Sequence, residues 1–465
     1  MKKQDERKDD EWLAPVYGSR WDMSSMAKTD IPDDSMRGDQ AFQIIRDEMG
    51  LQGNPSLNLA TFVTTWMEPE AERLMQLGAM YNLIDEDEYP QLKIIEDRLI
   101  RMQASLFHAP KENDPVGMTT SGSSEAIMLG LLAHKWQWRK HRRDKGLGDS
   151  RPNIIFGADV HTCWEKFARY FDVDMKIIPM KPGKYTINAH DVQPLLDEYT
   201  IAVGGIVGTT FTGQVDDVAS INQLLIEHKK KTGQDIPIHI DAASGGFVMP
   251  FANPDFAWDF RLEQVRSINV SNHKFGLVYA GLGSLIFKDK KDLPKDLPFK
   301  INYLGGAMDN YSLNFSKSSS MLLAQYYNFL RFGKEGYQRI IDAVMHNAVI
   351  LENYLTDSGH FEVLTDTKFL PIVVVKLKEE FGFTVFDISG ELKKYGWIIP
   401  AYSLPAEAED ISVLRMVIKE NFSHDLAEKL ISDIKEVIRN LQGQTTSKPT
   451  VVKEHRSKTK PHHIC

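Results

Sequence analysis

Four short apolar runs separated by helix-length stretches constrain this chain more than any other feature. They are Asn153-Ile154-Ile155-Phe156, Met175-Lys176-Ile177-Ile178, the run from Ile201 to Val207, and Ile236-Pro237-Ile238-His239-Ile240; a strand-like Ser267-Ile268-Asn269-Val270 follows. Near-continuous apolar character is what a strand buried on both faces requires. The expected class is therefore α/β, with a mostly parallel central sheet covered by helices. Open sheets of this kind hold ligands at the carboxyl ends of their strands. Asp241 closes the fourth run and Lys274 lies just past the fifth, so both fall where a ligand would sit.

Lys274 stands in Ser271-Asn272-His273-Lys274-Phe275-Gly276. A lysine after a histidine at a strand end is placed to form an imine, and an aspartate at the end of an apolar run is placed to hold a protonated ring nitrogen. Those are the two contacts that pyridoxal phosphate needs. Taken singly, Lys274 reads as a solvated loop lysine and Asp241 as a turn cap; their order and shared context favour the cofactor. Upstream, Gly122-Ser123-Ser124-Glu125-Ala126 opens a helix whose small residues leave backbone N–H groups and two hydroxyls facing an anion. Ser271 and His273 add a hydroxyl and an imidazole to the same phosphate cup.

Length and composition set the frame. At 465 residues the chain exceeds one ordinary core, and its net charge of −9 argues against a nucleic-acid partner for the whole chain. Two cysteines, Cys163 and Cys465, make no disulfide framework and suit a reducing compartment; Cys163 reads as a small buried side chain. The first ten residues lack the apolar stretch of a signal peptide, and no run approaches the ~20 apolar residues that span a bilayer. The expected location is the cytoplasm, and no cysteine or histidine spacing suggests a metal.

The organisation reads as an N-terminal arm over 1–56 with a short amphipathic helix around Ala41–Met49, a large domain over 57–342, a small domain over 343–442 and a mobile polar tail over 443–465. The small domain carries strands at Ile372–Val375 and Ser412–Val417. Its last helix is capped by Ser423 and presents Leu426, Leu430, Ile434, Val437 and Leu441 along one face. The basic tract Lys135–Arg143 reads as a helix end meeting solvent rather than a nucleic-acid patch.

Together Gly122–Ala126, Cys163–Tyr170, His239–Gly246 and Ser271–Gly276 resemble the group II pyridoxal-phosphate decarboxylases. Within them the chain is similar to the glutamate decarboxylases of the bacterial and plant type, through Asn58–Phe62, Ile84–Pro90 and Tyr303–Gly306. The resemblance implies the aspartate aminotransferase-like fold (type I), pyridoxal 5'-phosphate as cofactor, and conversion of L-glutamate to 4-aminobutanoate and CO2 with uptake of one proton, a reaction suited to acid resistance. By the same resemblance Lys274 carries the cofactor, Asp241 pairs with its ring nitrogen, Ala243 packs under the ring and His161 stacks over it. Ser123, Ser124, Ser271 and His273 hold the phosphate, and Thr210 lies near the ring hydroxyl or its neighbourhood. Ser316 reaches the phosphate of the neighbouring subunit, so a dimer is the smallest active assembly, with a hexamer left open. Thr61, Phe62, Asn82 and Asp85 match positions that contact the substrate's distal carboxylate, and Arg415 is expected on the α-carboxylate side. One residue departs from the pattern: the better-known bacterial glutamate enzymes carry glutamine where this chain has His161.

Other readings stay open at this level. Asp85 is either a substrate contact, which requires one of two facing carboxyls to hold a proton and favours acid pH, or the cap of a helix starting at Glu86. Lys274 and Tyr311 both qualify as the group that returns a proton to the substrate α-carbon. Another amino acid, such as aspartate, cysteine sulfinate or an aromatic one, fits the same motifs, as does a non-catalytic protein of the same fold. His462 or His463 in the tail is a candidate for closing the site as pH rises.

Overall fold

The computed structural model describes residues 29–301, 308–365, 367–378 and 381–446. Tyr303–Gly306 and the tail histidines His462 and His463 lie outside them. Residues up to Leu57 form one compact unit and those from Asn58 onward another. In the first, helix α1 (Gly38–Met49) matches the amphipathic segment expected there, with Phe42, Ile45 and Met49 exposed.

The second unit is built on a seven-stranded sheet. Its order is β1 (Val116–Thr120), β7 (Gly283–Phe287), β6 (Val265–Val270), β5 (Ile238–Asp241), β4 (Thr200–Ile206), β2 (Asn153–Gly157) and β3 (Asp174–Ile178). Strands β6, β5, β4, β2 and β3 pair in parallel, while β7 runs antiparallel to both of its neighbours. Every residue of β2 and β4 is buried, which accounts for their unbroken apolar character. The fourth apolar run starts as a strand only at Ile238, one residue past Pro237, whose ring nitrogen has no hydrogen to give a ladder.

The helices of this unit are α2 (Pro69–Gly78), α3 (Pro90–Leu106), α4 (Ser123–Asp144), α5 (Thr162–Tyr170), α6 (Ala189–Val192), α7 (Val218–Thr232), α8 (Met249–Ala252), α9 (Ser320–Asp357), α10 (Val385–Leu392) and α11 (His424–Thr446). Helix α4 packs Ile127, Leu131 and Trp138 with Ile154 and Phe156 of β2 and Trp164 and Phe167 of α5. Burying side chains of this size contributes about 1.5–3 kcal/mol each, an upper bound given a partly collapsed unfolded chain. Two of α4's basic residues are not solvated, contrary to expectation. Lys135 donates to the Phe171 carbonyl, and Arg142 is buried over the rings of Trp138 and Tyr199.

A second, antiparallel sheet has the order β10 (Phe361–Val363), β11 (Ile372–Leu377), β13 (Ser412–Val417) and β12 (Ala401–Ser403), while β8 (Phe299–Ile301) pairs with β9 (Met308–Asn310). Helix α9 consists of two helical segments that meet at Gly333, which takes the non-helical φ 55° and ψ −169°, and position 343 falls inside the second segment. Ser423 caps α11 as expected, its hydroxyl accepting from Leu426 N. Leu430, Ile434, Val437 and Leu441 are buried, and the helix continues past Gln442 to Thr446. Residues 58–65 lace onto this sheet: Leu59 N donates to Ile398 O and Val417 N to Leu59 O. No helix among the described residues is long and apolar enough to cross a membrane, and no cluster among them has the makings of a metal site.

Candidate active site

A cavity of about 360 Å³ opens where β4, β5 and β6 end and α4 begins. Its walls include Lys274, Asp241, Ala243, His161, Thr210, Ser123, Ser124, Ser271 and His273. Nine residues expected at the cofactor, scattered over 152 positions of chain from 123 to 274, therefore converge on one hollow.

Lys274 follows β6 in a tight turn. Leu277 N donates back to Lys274 O, and Leu277 closes the turn in the left-handed region at φ 69°, uncommon for a branched side chain. Thr64 clamps the turn from outside, its N–H on His273 O at 2.8 Å and its hydroxyl on Lys274 O at 2.5 Å. The amine donates to Ser244 Oγ at 3.1 Å and lies 4.9 Å from the centre of the Phe62 ring. Burial pulls the ammonium down to about 8, against the opposing pull of Asp241. A lysine that sheds its proton this readily is a nucleophile near neutral pH.

Asp241 is anchored from three elements. Its carboxylate accepts from Trp164 Nε1 at 3.0 Å, Asn269 Nδ2 at 2.9 Å and Ala243 N at 3.1 Å. Because the Asn269 amide turns its nitrogen to Asp241, its oxygen faces His239 Nε2 at 3.0 Å, so His239 carries its proton there. His239 Nδ1 then accepts from Ser267 Oγ at 2.7 Å, and Ser267 in turn accepts from His134 Nε2 at 2.7 Å. Burial depresses His239 to about 4 and His134 to about 3, which keeps both rings neutral and the chain of donors pointing toward Asp241. Gly130 of α4 makes room: a Cβ there would stand 2.7 Å from His239 Cε1.

The opposite end of the cavity suits a phosphate. Gly122 gives α4 no side-chain cap, so the first-turn N–H groups have no partner within the helix. Ser123 Oγ meets Ser271 Oγ at 2.7 Å. His273 Nδ1 is buried without a partner, its ring held neutral by burial at about 4. A Cβ at Gly122 would come within 3.2 Å of His273 Cε1, so any side chain there would press on that imidazole. An orphaned imidazole nitrogen, open N–H groups at a helix N-terminus and the hydroxyls of Ser123 and Ser271 fit a phosphate, and Asp241 with Lys274 fits the ring.

Arg415 lies beside Phe62, its guanidinium 4.9 Å from that ring and 5.5 Å from the ring of Tyr402. Two of its nitrogens donate to Thr210 O and Ala60 O at 2.7 Å each, and its Nε is buried without a partner. Thr61 directs its hydroxyl to Val63 N. His161 accepts from Cys163 N at the start of α5, and burial lowers its basicity.

Six expected residues do not line this cavity: Phe62 and Arg415, which adjoin its Lys274 and Thr210, with Thr61 next to Phe62, and, further off in the chain's contacts, Asn82, Asp85 and Ser316. Asn82 Oδ1 accepts from Lys317 N at 3.0 Å, Leu83 N donates to Lys317 O at 2.8 Å, and Asn82 bridges Ser318. Asn82, Asp85 and the exposed Ser316 thus gather in another patch of the same chain. Asp85 caps no helix at Glu86: residues 86–88 form a turn, and α3 starts at Pro90. Tyr311 is no free proton donor either. Its hydroxyl donates to Leu129 O inside the α4–β7 core, and burial raises it far above an ordinary tyrosine.

Ser244 and Asp159 are among the wall residues that were not expected. Ser244 takes the Lys274 hydrogen bond, and its position in Ala243-Ser244-Gly245 was on view without a role. Asp159 also lines the cavity; nothing in Gly157-Ala158-Asp159-Val160 marks it as more than a turn residue.

Residues 32–378 match the family model described as the pyridoxal-dependent decarboxylase conserved domain. The chain is 46% identical over 446 residues to a glutamate decarboxylase of Solanum lycopersicum, covering 96% of this chain and 89% of that one. It is 41% identical over 442 residues to a probable glutamate decarboxylase gamma of Listeria monocytogenes, covering 94% and 95%. Among solved structures, the glutamate decarboxylase of Lactobacillus brevis superposes with a TM-score of 0.89 at 40% identity, covering 93% of this chain and 99% of that one.

Proposed function

The chain belongs to the pyridoxal-dependent decarboxylases, and from that membership we propose that it converts L-glutamate and one proton to 4-aminobutanoate and CO2. Relatives that share 41–47% of their residues with it over most of its length carry that activity in their names. The observation that carries the reading is the meeting of a deprotonatable Lys274 and a triply anchored Asp241 in one cavity.

When bound, pyridoxal phosphate supplies the electron sink for the pair left behind as CO2 departs. This chain's residues do the rest. Ser123, Ser124, Ser271, His273 and the α4 N-terminus hold the phosphate. Asp241 holds the proton on the ring nitrogen, with His161, Ala243 and Thr210 packing around the ring. Lys274 attaches the cofactor and, set free once the substrate amine takes its place, is the group we assign to protonate the α-carbon, since Tyr311 is committed elsewhere. Arg415 Nε and Phe62 face the substrate, next to Thr61.

Asn82, Asp85 and Ser316 share a patch outside this chain's own cavity, so we assign them as a set to a partner subunit's site. The active assembly is then a dimer at least, and sizing in solution distinguishes a dimer from a hexamer. The proton taken up at each turnover suits acid resistance, and the two cysteines suit the cytoplasm. The test is CO2 release from a panel of L-amino acids as a function of pH. Glutamate is expected to lead; equal rates with aspartate, cysteine sulfinate or an aromatic amino acid would overturn the substrate.

A further inference from the structure

Asp159 sits in the turn between β2 and α5, is 2% exposed, and lines the same cavity as Lys274 and Asp241. Its backbone carbonyl is pinned by Thr209 Oγ1 at 3.1 Å, yet its Oδ2 is buried with no hydrogen-bond partner. A bare carboxylate oxygen inside a protein costs several kcal/mol unless it is protonated or meets a ligand. We propose that Asp159 is a further cofactor-pocket residue, a neutral carboxyl whose Oδ2 donates a hydrogen bond to a polar atom of bound pyridoxal phosphate. This rests on the cofactor assignment above and adds a residue to it.

The surroundings favour the protonated form. Asp241 ends β5 nearby, and Asp216, fully buried, lies on the other side with its oxygens taken by Ile187 N and Ile206 N at 2.9 and 2.7 Å. Lys274, the cationic group in the cavity wall, is already engaged with Ser244; Arg415, adjoining it at Thr210, is held by backbone carbonyls; and His161 is kept from charging by burial. Burial raises Asp159 to about 7, with Asp241 pushing the same way, and Asp216 is raised well above the usual range by burial and by Asp159. A folded value above the unfolded 3.8 means that the proton is held at acid pH and lost as pH rises through about 7. Asp159 is thus a donor on the acid side and a repelled anion above neutrality.

The experiment is titration of the apo chain with pyridoxal phosphate, followed by absorbance between pH 5.5 and 8.5, for wild type, Asp159→Asn and Asp159→Ala, with circular dichroism checking each fold. Deprotonation of Lys274 is common to all three chains, so the measure is the ratio between them: wild-type affinity relative to that of Asp159→Asn should weaken by about tenfold across that range as the donor is lost. Asp159→Asn, which keeps an N–H donor and cannot ionise, should bind as tightly as wild type at pH 5.5 and lose much less by pH 8.5. Asp159→Ala should be about tenfold weaker at pH 5.5. Alanine binding as well as wild type at pH 5.5, or an asparagine variant with the wild-type pH dependence, would overturn the proposal. Should the alanine variant not fold, the asparagine profile alone decides. A wild-type chain that takes up no pyridoxal phosphate would break the cofactor assignment itself, and this proposal with it.

Discussion

The cavity and the patch formed by residues 82–85 with 316–318 are both polar, both expected from the sequence to serve the reaction, and built on opposite plans. The cavity draws almost wholly on one chain: apart from Ser316, assigned to a partner's phosphate, each side chain assigned to the ring or the phosphate reaches it from near a strand end or a helix start. The patch is partly exposed, and none of its residues lines the cavity that holds Lys274. The difference teaches that most of the chain's hold on its cofactor should survive isolation of a single subunit, less the partner's phosphate contact, whereas the substrate contacts assigned to Asn82 and Asp85 should not.

The largest expected effect breaks the cavity side. Lys274→Ala should lower turnover by at least about a thousandfold and abolish the cofactor's absorbance near the visible edge, with the fold intact by circular dichroism. In the unmodified apo chain, Lys274 should become reactive to an amine reagent at half-maximal rate near pH 8, because a lowered value leaves the amine neutral above that point. Reactivity that rises only with the bulk lysines would contradict the cavity's electrostatics.

Next in size is the test that joins the two regions. Ser316→Ala chains mixed with Lys274→Ala chains should regain about a quarter of wild-type activity, since half of randomly formed dimers are mixed and each has one intact site. No recovery would put Ser316 and Asp85 back with their own chain. A smaller change, Asp85→Ala, should raise KM for glutamate by about tenfold while leaving the cofactor absorbance untouched; an altered absorbance would place Asp85 at the ring instead.

The smallest effect concerns the buried line behind Asp241. Ser267→Ala should weaken cofactor affinity severalfold by releasing His239. The line also predicts acid sensitivity of the apo chain. His239 falls from 6.5 to about 4 on folding, so the stability that depends on its neutral form is fully present above 6.5 and drains away as pH falls toward 4. Thermal melts of wild type and His239→Gln across that window measure it, and parallel slopes would count against the role.

Much of this was legible along the chain, for a physical reason that also explains the misses. Strands β2, β4 and β5 are buried on both faces and therefore spell themselves as apolar runs. Val116-Gly117-Met118-Thr119-Thr120 and Gly283-Ser284-Leu285-Ile286-Phe287 are less legible: β1 sits at the sheet edge and is only partly buried, and β7 follows β6 with no helix between them. Asp241, Lys274 and Ser123 announce themselves because their chemistry needs a strand end or a helix start. Asp159 does not, since its burial is imposed by Thr209, Asp216 and Asp241, far away in sequence. Lys135 and Arg142 were misread for the same reason: their partners, Phe171 and Tyr199, arrive from distant segments.

The clamp of Thr64 on Lys274 spans 210 positions, and the Ser123–Ser271 pair spans 148. Contacts that long form late, after the loops between them have been closed. The grip on the cofactor is therefore an end-of-assembly event, and a chain stalled with β5 and β6 unpaired would have nothing to grip with. Cofactor held by the finished form alone stabilises it by RT ln(1 + [L]/Kd), about 2.7 kcal/mol at a hundredfold excess over Kd. Vitamin B6 supply would then govern how long each molecule escapes proteolysis as well as how fast it turns over.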